Sequence, residues 1–411
     1  MRIALMTNNY KPITGGVPIS IERLARGLEA LGHEVTIFAP TYKEQEEEEN
    51  VFRYATCMKR FIGGIVLPNP FDTRIEKEFR RQAFDIIHVH HPMLIGRTAV
   101  RLSRKYGIPL VFTYHTRYEQ YTKCYTGGIL RLEHVMPLYL RAFLKHCNFV
   151  FAPTAGIRRY LTDTCRISSE KTGILPTGIE RGNFDVDAAA CDKIRKMYGA
   201  ENIPLLLTVS RMAQEKNVEF LLEGLTGVKE KYRKPFRVLM IGDGPDRESL
   251  MRRSAKLGLE DTVVFAGTVP NEEIAPYFQA ADAFIFASKT ETQGIVVLEA
   301  FAGSTPVIAV KASGVEDLVD DGVNGILTKE DAEEYADRLT DFLNGRDGDS
   351  RYREMAGNAF QKAGLYREEA VALKAVHYYN IAYEAKTRDT DGKSGRLVFR
   401  HKLAVNRQAH G

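Results

Sequence analysis

The chain opens on an apolar run, Ile3–Thr7, followed by a Pro/Gly loop at Lys11–Gly16. Ile21, Leu24, Leu28 and Leu31 then recur three, four and three residues apart, which places an apolar stripe along one face of a helix. Gly32 stops that helix as a left-handed cap would, and Val35–Ala39 reads as the next strand. Short apolar runs follow at Ile86–Val89, Leu110–Tyr114 and Phe149–Pro153, with helical stretches between them. Alternation of this kind predicts a parallel sheet covered on both faces. The scheme repeats with strands predicted at Leu205–Ser210, Val238–Gly242, Val263–Ala266, Ala283–Ala287 and Val307–Val310. Between the two series, Leu175–Asn183 has the Pro/Gly content of a linker. The expectation is an α/β protein of two doubly wound, Rossmann-like domains, 1–178 and 179–365, with a cleft facing the carboxyl ends of both sheets. Tyr366–Glu384 is amphipathic and predicts a last helix (366–385) packing back toward the first domain. Residues 386–411 lack periodicity and are expected to form a disordered basic tail.

At 411 residues the chain is too long for one ordinary core, in keeping with two domains. A hydrophobic share of 44% beside 27% charged residues excludes a disordered or fibrous chain. Cys57, Cys124, Cys147, Cys165 and Cys191 are odd in number and form no C-x-x-C pair. That argues against a disulfide framework or a cysteine zinc site and fits a reducing cytosol. The start MRIALMTNNY reads as a strand, not a signal peptide, and no apolar run approaches the ~20 residues of a membrane span. The net charge of +4 is unevenly placed: 26 Lys and Arg stand against 18 Asp and Glu in residues 1–185, leaving the remainder at −4. A basic amino-terminal half suits an anionic partner such as a membrane surface, or is an unevenly decorated solvated face.

Two constellations carry candidate chemistry. Arg211-Met-Ala-Gln-Glu-Lys216 directly follows the strand Leu205–Ser210, and a helix is predicted from Asn217. Two cations beside a helix amino terminus make a site for a diphosphate, including one that must leave. Ser288-Lys-Thr-Glu291-Thr-Gln-Gly-Ile-Val-Val-Leu-Glu299 follows the strand Ala283–Ala287 and sets two carboxylates eight residues apart. With a helix beginning near Gln293, Glu299 lies about two turns inside and Glu291 in the preceding loop. Free backbone N–H groups at Thr292-Gln293-Gly294 could meet a sugar or phosphate oxygen.

Arg-x4-Lys followed 75 residues later by Glu-x7-Glu, with a Gly-Gly-Val loop at Gly15–Val17, resembles glycosyltransferase family 4 along roughly residues 1–385. Further matches are Gly242-Asp-Gly-Pro245, Phe265-Ala-Gly-Thr-Val269, Ala281-Asp-Ala-Phe-Ile-Phe and Gly322-Val-Asn-Gly-Ile326. The resemblance implies a retaining enzyme of the GT-B fold acting on a nucleotide-sugar donor. It implies that Arg211 and Lys216 hold the diphosphate, Glu299 the ribose and Glu291 the transferred sugar. Gly242 and the backbone at Thr292, Gln293, Gly294 and Ile295 would also meet the donor, with Val269 beside the base. Gly15 and Gly16 would let the phosphates approach closely, there being no Cβ in the way. His115, in Thr113-Tyr-His-Thr116, matches the family's cleft histidine and would contact the transferred sugar and help the transition state. The retaining outcome implies a front-face route that needs neither a protein base nor a metal, and no carboxylate pair here is assignable to acid and nucleophile roles.

Other motifs are weighed against that reading. His88-Val-His-His91 with His115 could supply three imidazoles to a metal, but it resembles the family's strand-end segment, whose residues are structural or near the acceptor. Asp185-Val-Asp187 has the D-x-D form of metal-dependent sugar transferases yet lies after the linker, so chance is the better reading. Neither G-x-G-x-x-G nor G-x4-G-K-[ST] occurs near Gly15.

For the acceptor, Thr113–Tyr121 and His90–Gly96 look like the bacterial diacylglycerol glucosyltransferases of the family. Ile129–Cys147 interleaves apolar residues with Arg131, Arg141 and Lys145, as a stretch lying in an anionic interface does. A helix packing on the core is the alternative, and Pro137 is expected to kink or break it. Phe61–Leu67 is a second candidate insertion loop. The expectation is a cytoplasmic enzyme, peripheral on the inner face of the cell membrane, moving glucose from UDP-glucose to a lipid such as diacylglycerol, with no nucleic-acid partner and no cofactor. A soluble sugar, sugar phosphate or polysaccharide as acceptor is the alternative enzyme reading. A non-catalytic nucleotide-sugar-binding protein is the alternative from another class.

Overall fold

The computed structural model of the chain describes residues 1–13, 15–58, 66–117, 132–346 and 350–391. Its strands are β1 (Arg2–Met6), β2 (Glu34–Pro40), β3 (Val51–Tyr54), β4 (Thr56–Met58), β5 (Leu67–Pro68), β6 (Ile86–Val89), β7 (Leu110–Thr113), β8 (Phe149–Ala152) and β9 (Thr172–Ile174), followed by β10 (Leu205–Val209), β11 (Arg237–Ile241), β12 (Val263–Gly267), β13 (Ala283–Phe286), β14 (Val307–Val310) and β15 (Gly325–Thr328). One sheet runs β3-β2-β1-β6-β7-β8-β9 and the other β12-β11-β10-β13-β14-β15. Every pairing within these two sheets is parallel, while β4 and β5 form a small antiparallel pair. Two Rossmann-like sheets of this kind are the GT-B arrangement of an α/β protein.

The central strands of each sheet are buried on both faces and are correspondingly rich in apolar residues. On one face of the first sheet Ala4, Met6, Ile87 and Phe112 pack with Ala99 and Leu102 of the helix Ile95–Tyr106. On the other face Ile3, Leu5, Ile86 and Val111 pack with Ile21, Leu24 and Leu28 of the helix Gly16–Ala30. The strand order of each sheet reverses beside its first strand, between β1 and β6 and between β10 and β13. Crevices for ligands open at the carboxyl ends of such switch points.

The last helix runs Glu368–Asp391, beyond the predicted end at Glu384, and lies along the helix Gly16–Ala30. That contact needs Gly27: a Cβ there would stand 2.8 Å from Ala372 Cβ and 2.9 Å from the Glu368 carbonyl oxygen. The rest of the predicted basic tail, residues 392–411, lies outside the described residues. The chain crosses between the sheets twice, and the two crossings are tied together. Ile179 N–H donates to the Tyr366 carbonyl at 2.7 Å, and Glu368 N–H donates to the Ile179 carbonyl at 3.2 Å.

Pro137 does not break its helix, which is continuous over Leu132–Leu144. Leu140, Phe143 and Leu144 are buried in the first domain's core, and packing of that face offsets the backbone bond that proline forfeits. Those three side chains are therefore core, leaving Val135, Leu138, Arg141, Ala142, Lys145 and His146 as the exposed positions of that stretch among the described residues. No helix among the described residues is long and apolar enough to cross a membrane.

Candidate active site

The loop after β10 turns back on itself at once. Arg211 is followed by a single 3₁₀ turn, Gln214–Lys216, and by Asn217 in the left-handed region (φ 55°), which starts the helix Val218–Tyr232. Arg211 pairs with the buried carboxylate of Glu215. Lys216 Nζ donates to Glu291 Oε1 at 2.5 Å, and Ser288 Oγ donates to the same oxygen at 2.7 Å. The carboxyl ends of β10 and β13, neighbours in the sheet, thus bring Lys216, Ser288 and Glu291 to one point. Burial works to raise the Glu291 pKa, but the Lys216 charge and the bonds from Lys216 and Ser288 outweigh it and hold the carboxyl below its ordinary range.

Glu291 leads into Gly294, left-handed at φ 79°, which caps the helix Ile295–Ala302. The helix starts two residues later than the sequence suggests, so Glu299 lies little more than one turn inside it. At Gly16, the first residue of the helix Gly16–Ala30, a Cβ would stand 3.6 Å from Ile295 Cδ1. The amino ends of two helices, one from each domain, therefore converge beside the Lys216–Glu291 pair. Both carry positive dipole ends, and the convergence suits a diphosphate.

Polar contacts bind the two domains around this point. Thr292 Oγ1 donates to the His115 carbonyl oxygen at 2.9 Å. The buried Gln293 amide takes both backbone groups of Thr177: Oε1 accepts from N–H at 2.7 Å and Nε2 donates to the carbonyl at 3.2 Å. These side chains are engaged with the first domain and the linker, which leaves the backbone of Thr292–Ile295 as the part open to a donor. Glu299 Oε1 accepts from Arg23 Nη2 at 2.7 Å, an ion pair across the domains that no motif had marked.

Four histidines line the carboxyl ends of β6 and β7. His88 is buried between Tyr379 Oη (2.8 Å) and Thr113 Oγ1 (2.6 Å). His90 stacks between His88 and His115, and its Nδ1 stands 2.9 Å from His115 Nε2. His91 Nδ1 accepts from the Asn8 N–H at 3.1 Å. Burial pushes His91 down to about 4 and His115 down to about 3, and carries His88 and His90 well below the ordinary range. All four rings are neutral near pH 7. As a neutral ring, His115 can donate or accept a hydrogen bond in the cleft. His90, read from the sequence only as part of a strand-end segment, is its direct ring partner.

The remaining sequence candidates divide. Gly242 serves packing: at φ 131° its Cβ would stand 2.0 Å from the Ser210 carbonyl oxygen, beside the Arg211 loop. Val269 lies two residues past β12, partly buried against the second domain's core. Asp187 caps the helix Ala188–Met197, accepting from Ala190 N–H at 2.9 Å, which gives the D-x-D segment a structural role. No group of three or more His, Cys, Asp or Glu side chains is placed to hold a metal among the described residues. Arg141 and Lys145 are exposed on the first domain; Arg131, residues 118–121 and all but the end of the Phe61–Leu67 loop lie outside the described residues. Beside the helix Leu132–Leu144, Arg97, Arg101, Arg104, Lys105 and His146 line a separate basic groove of about 630 Å³.

Comparison with known proteins follows this division. Residues 14–182 match the family described as Glycosyltransferase Family 4, and residues 192–362 match Glycosyl transferases group 1. The chain is 32% identical over 343 residues to an alpha-monoglucosyldiacylglycerol synthase of Streptococcus pneumoniae, covering 80% of this chain and 75% of the relative. It is 30% identical to an alpha-monoglucosyldiacylglycerol synthase of Acholeplasma laidlawii, covering 81% and 86%. A crystal structure of an Anabaena protein in complex with UDP superposes at TM-score 0.72 with 19% identity, over 92% of this chain and 100% of that one. Together with the two parallel sheets, these likenesses make the chain a member of glycosyltransferase family 4 and a glycosyltransferase of the GT-B fold.

Proposed function

We propose that this glycosyltransferase moves glucose from UDP-glucose onto diacylglycerol at an anionic membrane surface, with retention at the anomeric carbon and without a metal. The observation that carries the donor half is the meeting of Lys216, Ser288 and Glu291 where the amino ends of two helices converge. In this reading the diphosphate lies between those helix ends, with Arg211 and Lys216 as its cations and the Gly15–Gly16 loop beneath it. Glu291, ionised, accepts hydrogen bonds from hydroxyls of the transferred sugar, and Glu299 accepts from the ribose. The neutral His115 hydrogen-bonds the sugar from the first domain's side. As the anomeric C–O bond to phosphate breaks, the acceptor oxygen bonds to the same face of the sugar, and its proton passes to the departing phosphate oxygen. Lysine and helix dipoles stabilise the charge that develops there.

The acceptor half is supported by the two alpha-monoglucosyldiacylglycerol synthase relatives and by the exposed Val135, Leu138, Arg141 and Lys145 on the first domain. The burial of Leu140, Phe143 and Leu144 narrows that surface and keeps a soluble acceptor as the second reading. Purified protein incubated with labelled nucleotide sugars, chelator and anionic liposomes containing diacylglycerol tests both. Label from UDP-glucose in the organic phase is the expected result. Nucleotide diphosphate released with no label in the organic phase would overturn the lipid acceptor, and activity only without chelator would overturn the metal-free route.

A further inference from the structure

Arg23 is a fully buried arginine, 1% exposed, on the helix that begins at Gly16. Each arm of its guanidinium meets a different segment. Nε donates to Glu180 Oε1 at 3.1 Å, Nη1 to the Gly178 carbonyl oxygen at 3.2 Å, and Nη2 to Glu299 Oε1 at 2.7 Å. Glu180 is shared with Arg26 (2.7 Å), which also reaches Glu368 at the start of the last helix. Helix Gly16–Ala30, the linker and the second domain's helix Ile295–Ala302 therefore join in one charged cluster.

A planar guanidinium held by two partners leaves its third N–H direction no freedom. With Gly178 and Glu180 fixing Nη1 and Nε, the direction of Nη2 is set, and with it the position of Glu299 Oε1. Burying an arginine for packing alone would not require a carboxylate from the other domain, because Glu180 already supplies a counter-charge. We infer that Arg23 is a positioning residue for the donor, orienting the Glu299 carboxylate so that its other oxygen faces the nucleotide ribose. The inference rests on the reading of Glu299 as the ribose acid. It also makes the first domain a party to nucleotide recognition, although the acid itself sits on the second.

The test compares UDP-glucose with its 2′,3′-dideoxyribose analogue as donors for the wild type, Glu299→Ala, Arg23→Met and Arg23→Lys, each checked by thermal melting. The wild type is expected to prefer the ribose donor about ten- to a hundredfold in kcat/KM. Glu299→Ala should abolish that preference. Arg23→Met should lower it about tenfold or more, chiefly through the KM of the ribose donor, and Arg23→Lys should fall between because it keeps the charge without the fork. If Arg23→Met does not fold, the Lys variant gives the same readout. Arg23 variants that lose stability or rate while keeping the full ribose preference would overturn the inference, reducing Arg23 to a tie between domains. A Glu299→Ala enzyme that keeps the preference would instead remove the ribose reading, and the inference with it.

Discussion

Replacing Lys216 by methionine separates the two things the lysine does. Its partner Glu291 sits with its side chain 16% exposed and Lys216 with 19%, so the pair is shielded but not sealed. Removing one member of such a pair leaves a carboxylate largely out of water, at about 1–3 kcal/mol of stability. Donor affinity should drop about ten- to a hundredfold, the worth of one charge-assisted bond to a phosphate. The more telling effect is on pH. In the wild type Glu291 is held below its ordinary range although burial pushes it up. Without Lys216 burial prevails, the carboxyl protonates at a higher pH, and a Glu291 that must accept hydrogen bonds from the sugar is lost sooner on acidification. The stability term has the same sign: a depressed carboxyl contributes stability that is lost as pH falls through its folded value, and the variant forfeits that contribution. Full pH profiles of kcat/KM for wild type, Lys216→Met and Lys216→Arg are the assay. The acid limb should move to higher pH in the methionine variant and stay in place in the arginine one. A methionine variant that is slower at every pH but keeps the wild-type acid limb would refute the coupling.

Other consequences are open to shorter tests. His90→Phe removes the ring partner of His115 Nε2 and should lower kcat about tenfold with UDP binding by calorimetry nearly unchanged. His88 and His90 stay neutral when folded but take up a proton near pH 6.5 when unfolded, so the unfolded chain binds more protons as pH falls. Stability measured by denaturant should therefore fall between pH 7.5 and pH 5, by roughly 2 kcal/mol for each fully buried ring; a flat profile would contradict their burial. Gly242→Ala would push a Cβ to 2.0 Å from the Ser210 carbonyl at a positive φ, and should cost about 2 kcal/mol or more, read as a lowered melting temperature together with weakened donor binding.

The strands that carry the site were legible because they are buried on both faces and read as mostly apolar runs: β6 and β14 match their predicted bounds, and β1, β10 and β13 differ at their ends by only a residue or so. The strands β3, β9 and β15 were not, being three or four residues long and mixing in Arg53, Thr172 or Gly325. Charged turns after β10 and β13 marked Lys216 and Glu291, whose neighbourhood depends on adjacent strand ends. Arg23 left no such trace. It occupies an ordinary polar interval in an amphipathic helix, and its carboxylate partners Glu180 and Glu299 lie 157 and 276 residues away. Gln293 was marked only through its backbone N–H, while its side chain proves buried against the linker through Thr177. Contacts between domains follow from how two finished sheets meet, which local periodicity does not encode.

In the proposed reading the donor lies between the two helix amino ends at the switch points of both sheets. A crystal structure of the protein with UDP bound would locate it. The diphosphate is expected between Gly16 and Ile295, within hydrogen-bonding distance of Arg211 and Lys216, with a ribose hydroxyl on Glu299. UDP bound instead in the basic groove of Arg97, Arg101 and Arg104, with the cleft between the sheets unchanged, would contradict it.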